Sequence, residues 1–302
     1  MFGWRRSERP KRHVILHYHI FKNAGTTIYS ILERNFGRQL KTLDAGHFNE
    51  PLSNDVLLKF LQRHPRAKAI STHHLLPPKP EDEDFVFHDI LFLRHPLARL
   101  SSMYAFYRRT AITEDPLTTE ARKRSTADFM RLLLERYPQY VHNAQVEYLS
   151  ARSRTAEGNS LQTAFGIARQ ATVLGVAEMF DVGAVLAQET LAPYFKRLQF
   201  GYVAQNVSSA EPRQLDVHLA EFRDACGIEL YEQLLQCNRL DIELLEMAKR
   251  ELCRRFEQLP DHQERLEHFL FWRSILHPSA IRGVLASNHP HDFIRYANLG
   301  KR

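Results

Sequence analysis

The chain has 302 residues, with 41 Lys and Arg against 35 Asp and Glu, a formal charge of +6. Its composition, 44% apolar and 25% charged, excludes a disordered or fibrous chain and is that of an ordinary globular protein. No apolar run approaches the ~20 residues that a membrane helix needs, so a soluble chain is expected.

A basic tail (Arg5, Arg6, Arg9, Lys11, Arg12) precedes the first element and carries no apolar segment of secretory length. Residues 13–20 read as a strand, ended by Lys22-Asn23-Ala24-Gly25, and the spacing of Ile28, Ile31 and Leu32 reads as a helix. Further strands are expected at 67–72 and 85–93, the latter bounded by Arg94-His95-Pro96 and followed by a helix over 97–107. The polar, charged stretch 110–124, with Pro116 and Arg122-Lys123-Arg124, reads as a long loop. Beyond it helices dominate: Ser125 or Thr126 caps one that runs to Arg136, a strand follows at 172–176, and 215–256 holds two or three helical patterns. Strands that alternate with helices predict an α/β fold, a parallel sheet covered on both faces. Without a repeat or a clear linker, the expectation is one domain over 1–302, its core at about 13–256, with residues 257–302 unassigned.

Cys226, Cys237 and Cys253 are odd in number and lack C-x-x-C spacing, which disfavours a disulfide framework and a zinc site and makes a reducing cytoplasm the default. A pI near 9.2 favours an anionic ligand. The positive residues are dispersed, so a solvated surface is the plainer reading of most of them, and no nucleic-acid partner is expected.

The segment Phe21-Lys22-Asn23-Ala24-Gly25-Thr26-Thr27 lies between strand and helix, where first-turn N–H groups lack intrahelical partners and the dipole favours an anion. Gly25 admits close approach, Thr26 and Thr27 add hydroxyl donors, and Lys22 adds a mobile positive charge. A phosphate or phosphosulfate suits this chemistry, and a plain Thr-capped helix start is the competing reading. The nucleotide-triphosphate loop G-x-x-x-x-G-K-[ST] is absent, since the Lys precedes the Gly by three positions, which disfavours an ATPase or kinase.

His17-x-His19-Ile20-x-Lys22-x-Ala24-Gly25-Thr26-Thr27 resembles the 5′-phosphosulfate loop of sulfotransferases that use 3′-phosphoadenosine-5′-phosphosulfate (PAPS), in particular the carbohydrate type that includes heparan sulfate 2-O-sulfotransferase. The stretch from Asp89 through Arg94-His95-Pro96 to Tyr104 is similar to that family's 3′-phosphate segment, and the resemblance assigns the 3′-phosphate to Arg94 and Ser102. His95 stands where the family usually has an acidic residue. Weaker landmarks follow in the same order: Asn143-Ala144-Gln145 with Tyr148-Leu149-Ser150, residues 173–181 including Glu178, Asn206-Val207-Ser208, and residues 238–244.

The resemblance implies a three-layer sandwich with a nucleotide-binding P-loop-like core and a helical C-terminal half. It also implies PAPS as co-substrate with no metal, a carbohydrate or other hydroxyl acceptor, and a donor site made of Lys22, Asn23, Ala24, Gly25, Thr26, Thr27, Arg94 and Ser102. Lys22 would neutralise the leaving phosphate. For the base, His73 and His74 close the strand at 67–72, and neighbouring strand residues point to opposite faces, so one of them is a bystander. Alignment to the family's Gly-His or Thr-His element favours His73. His17 and His19 read as strand residues behind the turn. The basic residues Arg108, Arg109 and 122–124 either meet an anionic glycan or are simply solvated. Without a transmembrane anchor, the chain would be a bacterial-type soluble enzyme or a truncated domain of a Golgi-type relative. A magnesium-dependent kinase or ATPase, and a glycan-binding protein without turnover, are the competing functions. Oligomeric state is not legible.

Overall fold

The computed structural model describes residues 10–45, 51–112, 115–153, 160–202 and 214–275. The landmark Asn206-Val207-Ser208 lies outside them, as does most of the unassigned C-terminal stretch.

Five strands form one parallel sheet: β1 (Arg12–Tyr18), β2 (Leu40–Thr42), β3 (Ala69–Thr72), β4 (Phe85–Leu93) and β5 (Val173–Val176), in the order β2-β3-β1-β4-β5. The register pairs Tyr18 with Thr72 on one side and with Leu91 on the other, so β3, β1 and β4 end along the same edge. Parallel strands covered on both faces are apolar on both. Accordingly Val14, Leu16 and Tyr18 point to one core, while Ile15 points to the other.

The helices fall into three groups. The first core is closed by α2 (Asn54–Arg63), α6 (Ala144–Ser150), α7 (Ser160–Gln170) and α11 (Arg239–Glu257), with Leu57, Leu61, Val146, Leu149, Ala164, Leu244, Leu245 and Leu252 buried in it. The opposite face carries α1 (Gly25–Phe36) and α8 (Phe180–Leu191), which bury Ile28, Ile31, Leu32, Ala184 and Leu191, and α12 (His262–Ile275), which adds Phe269. A third cluster, away from the sheet, is built by α3 (Pro96–Arg109), α4 (Pro116–Lys123), α5 (Thr126–Arg136), α9 (Leu215–Cys226) and α10 (Ile228–Cys237). The fold is thus a three-layer α/β sandwich with a helical C-terminal half.

The expected loop at 110–124 is in part a helix. Asp115 accepts a hydrogen bond from the Leu117 N–H at 2.8 Å, Pro116 occupies the first helical position, and Leu117, Thr118 and Ala121 are buried. Proline at that position starts a helix as readily as it breaks one, because its missing N–H would have had no partner there. Strand β2 and helix α2 were not foreseen either. The former has only three residues, and the latter, capped by Ser53 onto the Val56 N–H, buries just Leu57 and Leu61.

On β5, Gly175 lies under the ring of Phe92 from β4: a Cβ built there would fall 2.3 Å from Phe92 Cζ. Phe92 is 2% exposed and packs against Phe180 with ring centroids 5.0 Å apart, so it has little room to yield. Gly175→Ala is expected to destabilise the protein by about 1–3 kcal/mol through overpacking, seen as a lower melting temperature with the far-ultraviolet dichroism of the folded state unchanged.

Candidate active site

The site forms where β1, β3 and β4 end side by side, the edge at which open α/β sheets present ligands. Each strand delivers one component. After β1 the chain makes a tight turn in which Lys22 (φ 67°) and Ala24 (φ 62°) both take left-handed backbone conformations. Such conformations cost of order 1–3 kcal/mol for residues other than glycine and gather at ligand sites. Ala24 is the N-cap of α1 and offers no side-chain cap, so the Gly25 and Thr26 N–H groups remain available to an anion, while that of Thr27 bonds the Ala24 carbonyl at 3.0 Å. Thr26 is exposed at the start of α1 and Thr27 is buried.

Gly25 is required by a neighbour. A Cβ at this position would lie 1.9 Å from His19 Cδ2, overlapping the edge of the imidazole ring. His19 is therefore not a strand residue behind the turn, as the sequence reading had it. It lies just past the end of β1, packed directly on the helix start.

From β3 come the two histidines. The rings of His19 and His73 lie tilted against each other with centroids 4.0 Å apart, and His17 stacks on His19 at 5.1 Å. His73 is thus on the side of the turn after β1, and is exposed. His74 is turned away, its ring T-shaped to that of His73 at 6.4 Å. Its Nδ1 is within reach of both the Ala45 N–H at 3.2 Å and Asp44 Oδ1 at 3.1 Å, so this atom is engaged in either tautomer. Both residues follow β3, which ends at Thr72, so Asp44 sorts the rings in place of strand alternation: its Oδ1 also accepts the His73 backbone N–H at 2.7 Å. Asp44 was missed from sequence because β2, which it follows, was too short to read.

From β4 comes Arg94. Its Nη1 donates to the Lys22 carbonyl at 3.1 Å, so the guanidinium is in direct contact with the turn. Glu178, just past β5, accepts the His95 backbone N–H at 2.9 Å and faces Arg94 electrostatically. Ser102 lies half-buried on the second turn of α3.

The electrostatics follow from burial and from like charges. Lys22 is pushed down to about 8, first by burial and then by Arg94 and Arg109, and its ammonium rests over the Phe106 ring 4.7 Å from the centroid. His19 is pushed down to about 3 by burial and by His73, and His17 lies well below its ordinary value for the same first reason. These two rings are therefore neutral at pH 7. His73 is lowered more mildly, with desolvation the main cause and Asp44 opposing it. Positive charge in the cleft is thus carried by the Lys and Arg side chains, and the imidazole next to it is kept free of a proton.

Among the described residues no helix is long and apolar enough to cross a membrane, and no group of three or more His, Cys, Asp or Glu is arranged to hold a metal ion.

The sequence profile of the sulfotransferase family matches residues 9–252, which takes in all five strands and every component described above. An uncharacterized protein of Archaeoglobus fulgidus is 25% identical over 243 residues, spanning 78% of this chain and 95% of that protein. A turn for an anion after the first strand and an arginine after the adjacent one, held on a single parallel sheet within so broad a match, lead to one conclusion: the chain belongs to the sulfotransferase family.

Proposed function

We propose that the protein moves a sulfuryl group from PAPS to a hydroxyl group, that of a carbohydrate in the reading favoured by the resemblance, and that it does so without a metal. The observation that supports this most strongly is the 3.1 Å hydrogen bond from Arg94 to the Lys22 carbonyl, because it brings the two expected phosphate-binding elements into contact.

In this mechanism the turn receives the 5′-phosphosulfate on the Gly25 and Thr26 amides and the Thr26 hydroxyl at the start of α1, while Asn23, buried and bonded to Phe92 and Gln145, shapes the turn from behind. Arg94, whose planar fork suits a phosphate, takes the 3′-phosphate together with Ser102. His73 removes the proton of the acceptor hydroxyl as its oxygen bonds to sulfur. The bond between sulfur and the bridging oxygen breaks in line, and adenosine 3′,5′-bisphosphate leaves. Lys22 moves from the Phe106 ring to neutralise the charge that grows on the bridging oxygen. His74, held by Asp44 and Ala45, is the weaker candidate for the base. The reaction fits a reducing cytoplasm, since Cys226, Cys237 and Cys253 are all free thiols.

Titration with adenosine 3′,5′-bisphosphate should raise the melting temperature equally with and without a chelator; a shift that requires magnesium would point instead to a kinase or ATPase. With labelled donor and a panel of glycans, Lys22→Ala and His73→Ala are expected to lower turnover by about a hundredfold or more, whereas His74→Ala leaves most of it. Arg94→Ala should chiefly raise the KM for the donor, by about tenfold or more, since one charge-assisted contact to phosphate is lost.

The pH profile of kcat/KM should be bell-shaped. Activity requires neutral His73 and so falls on the acid side below that residue's ordinary 6.5, the direction in which its pKa is shifted. It also requires protonated Lys22 and so falls as pH rises through about 8. Lys22→Arg should move the alkaline limb upward.

A further inference from the structure

Four hydrogen bonds converge on one side chain that the proposed chemistry does not use. Gln145, on the first turn of α6, is 1% exposed, and its amide has two donor hydrogens and an oxygen with two lone pairs. All four positions are filled. Oε1 accepts from Asn23 Nδ2 at 2.7 Å and from the Arg94 backbone N–H at 3.0 Å. Nε2 donates to the Arg94 carbonyl at 2.9 Å and to Asp241 Oδ2 at 3.3 Å.

Three of these bonds go to the two loops of the donor site. Strand β1 ends at Tyr18 and β4 at Leu93, so the bonds of Gln145 begin where the ladder between those strands stops. Asn23 is drawn in further by its second bond, from Nδ2 to the Phe92 carbonyl at 2.9 Å. The amide itself cannot turn. Asp241 accepts the backbone N–H groups of Gln145, at 3.1 Å, and Val146, at 2.8 Å, and is held in place by Asn143, whose Oδ1 accepts the Leu240 N–H at 2.9 Å.

We propose that Gln145 is a positioning residue: its buried amide sets the separation between the turn after β1 and the arginine after β4, and thereby selects nucleotides that carry phosphate at both the 3′ and the 5′ position. The inference rests on the functional reading above. Two subsites that act on one ligand gain from each other only if their spacing matches it, as with any pair of linked binding modules. Loosening the spacing therefore penalises a ligand that spans both subsites more than one that occupies a single subsite. A purely structural glutamine would weaken both ligands alike.

The test is calorimetric titration of the full chain with adenosine 3′,5′-bisphosphate and with adenosine 5′-monophosphate. For Gln145→Met, close to Gln in volume, affinity for the bisphosphate is expected to fall by about tenfold or more and that for the monophosphate by less than about threefold. Equal losses for the two ligands, or no loss for either, overturn the proposal. Tyr148→Phe, on the same helix, removes a bond from the Tyr148 hydroxyl to the Leu75 carbonyl and touches neither loop, so the ratio of affinities should stay at the wild-type value. A collapsed ratio in that variant would mean that general loosening of α6 is enough, and would also overturn it. Should Gln145→Met fold poorly, Gln145→Asn, with the same amide one methylene shorter, must show the same collapse. Wild-type protein that binds neither nucleotide would instead remove the functional reading itself, which separates the two failures.

Discussion

The site depends on a matter of register. In a parallel sheet every strand runs the same way, and the pairing of Tyr18 with Thr72 and with Leu91 aligns the ends of β3, β1 and β4 along one edge. The three segments that carry the proposed chemistry are far apart in sequence and share no local contact that would join them. A shift of one residue in either pairing would turn the alternating side chains of a strand to the other face and bury the wrong set. The hydrophobic cores on both faces enforce the register, and the position of the site follows from it.

On that edge the protein separates two kinds of basic group. Arg94 and Arg109 both act on Lys22 as like charges, an arrangement that an anion relieves. The ammonium of Lys22 lies on an aromatic face meanwhile, a placement that lowers the cost of partial burial without neutralising the charge. The neighbouring histidines behave in the opposite way. Stacked on one another and desolvated, His17 and His19 stay neutral, and His73 beside them is lowered by desolvation, against Asp44 and the His19 backbone, which favour its protonated form. A group intended to accept a proton near pH 7 benefits from such desolvation.

The left-handed residues at Lys22 and Ala24 raise the question of what holds a strained turn in shape. Strain of this kind persists only where the surroundings over-determine it. Here His19 packs against Gly25 from one side, Arg94 grips the Lys22 carbonyl, and Asn23 is tied to the Gln145 amide and to the end of β4. His19 comes from just past β1, whereas Arg94 and Gln145 come from elements distant in the sequence.

Much of this was legible in advance, for identifiable reasons. The strand at 85–93 coincides with β4 because nine residues with a buried pattern leave little ambiguity, and the small-residue turn falls between strand and helix, where its composition placed it. The helix at 116–123 was hidden by a proline that starts it, and β2 by its length of three residues. By itself the sequence determined the α/β class, the turn and the arginine, since each rests on a local pattern of hydrogen bonding and periodicity. Only the tertiary structure decided which way His73 and His74 face, what Gly25 makes room for, and that Gln145 joins two loops. Those outcomes depend on contacts between residues from about 6 to more than 120 positions apart along the chain, and no local propensity encodes them.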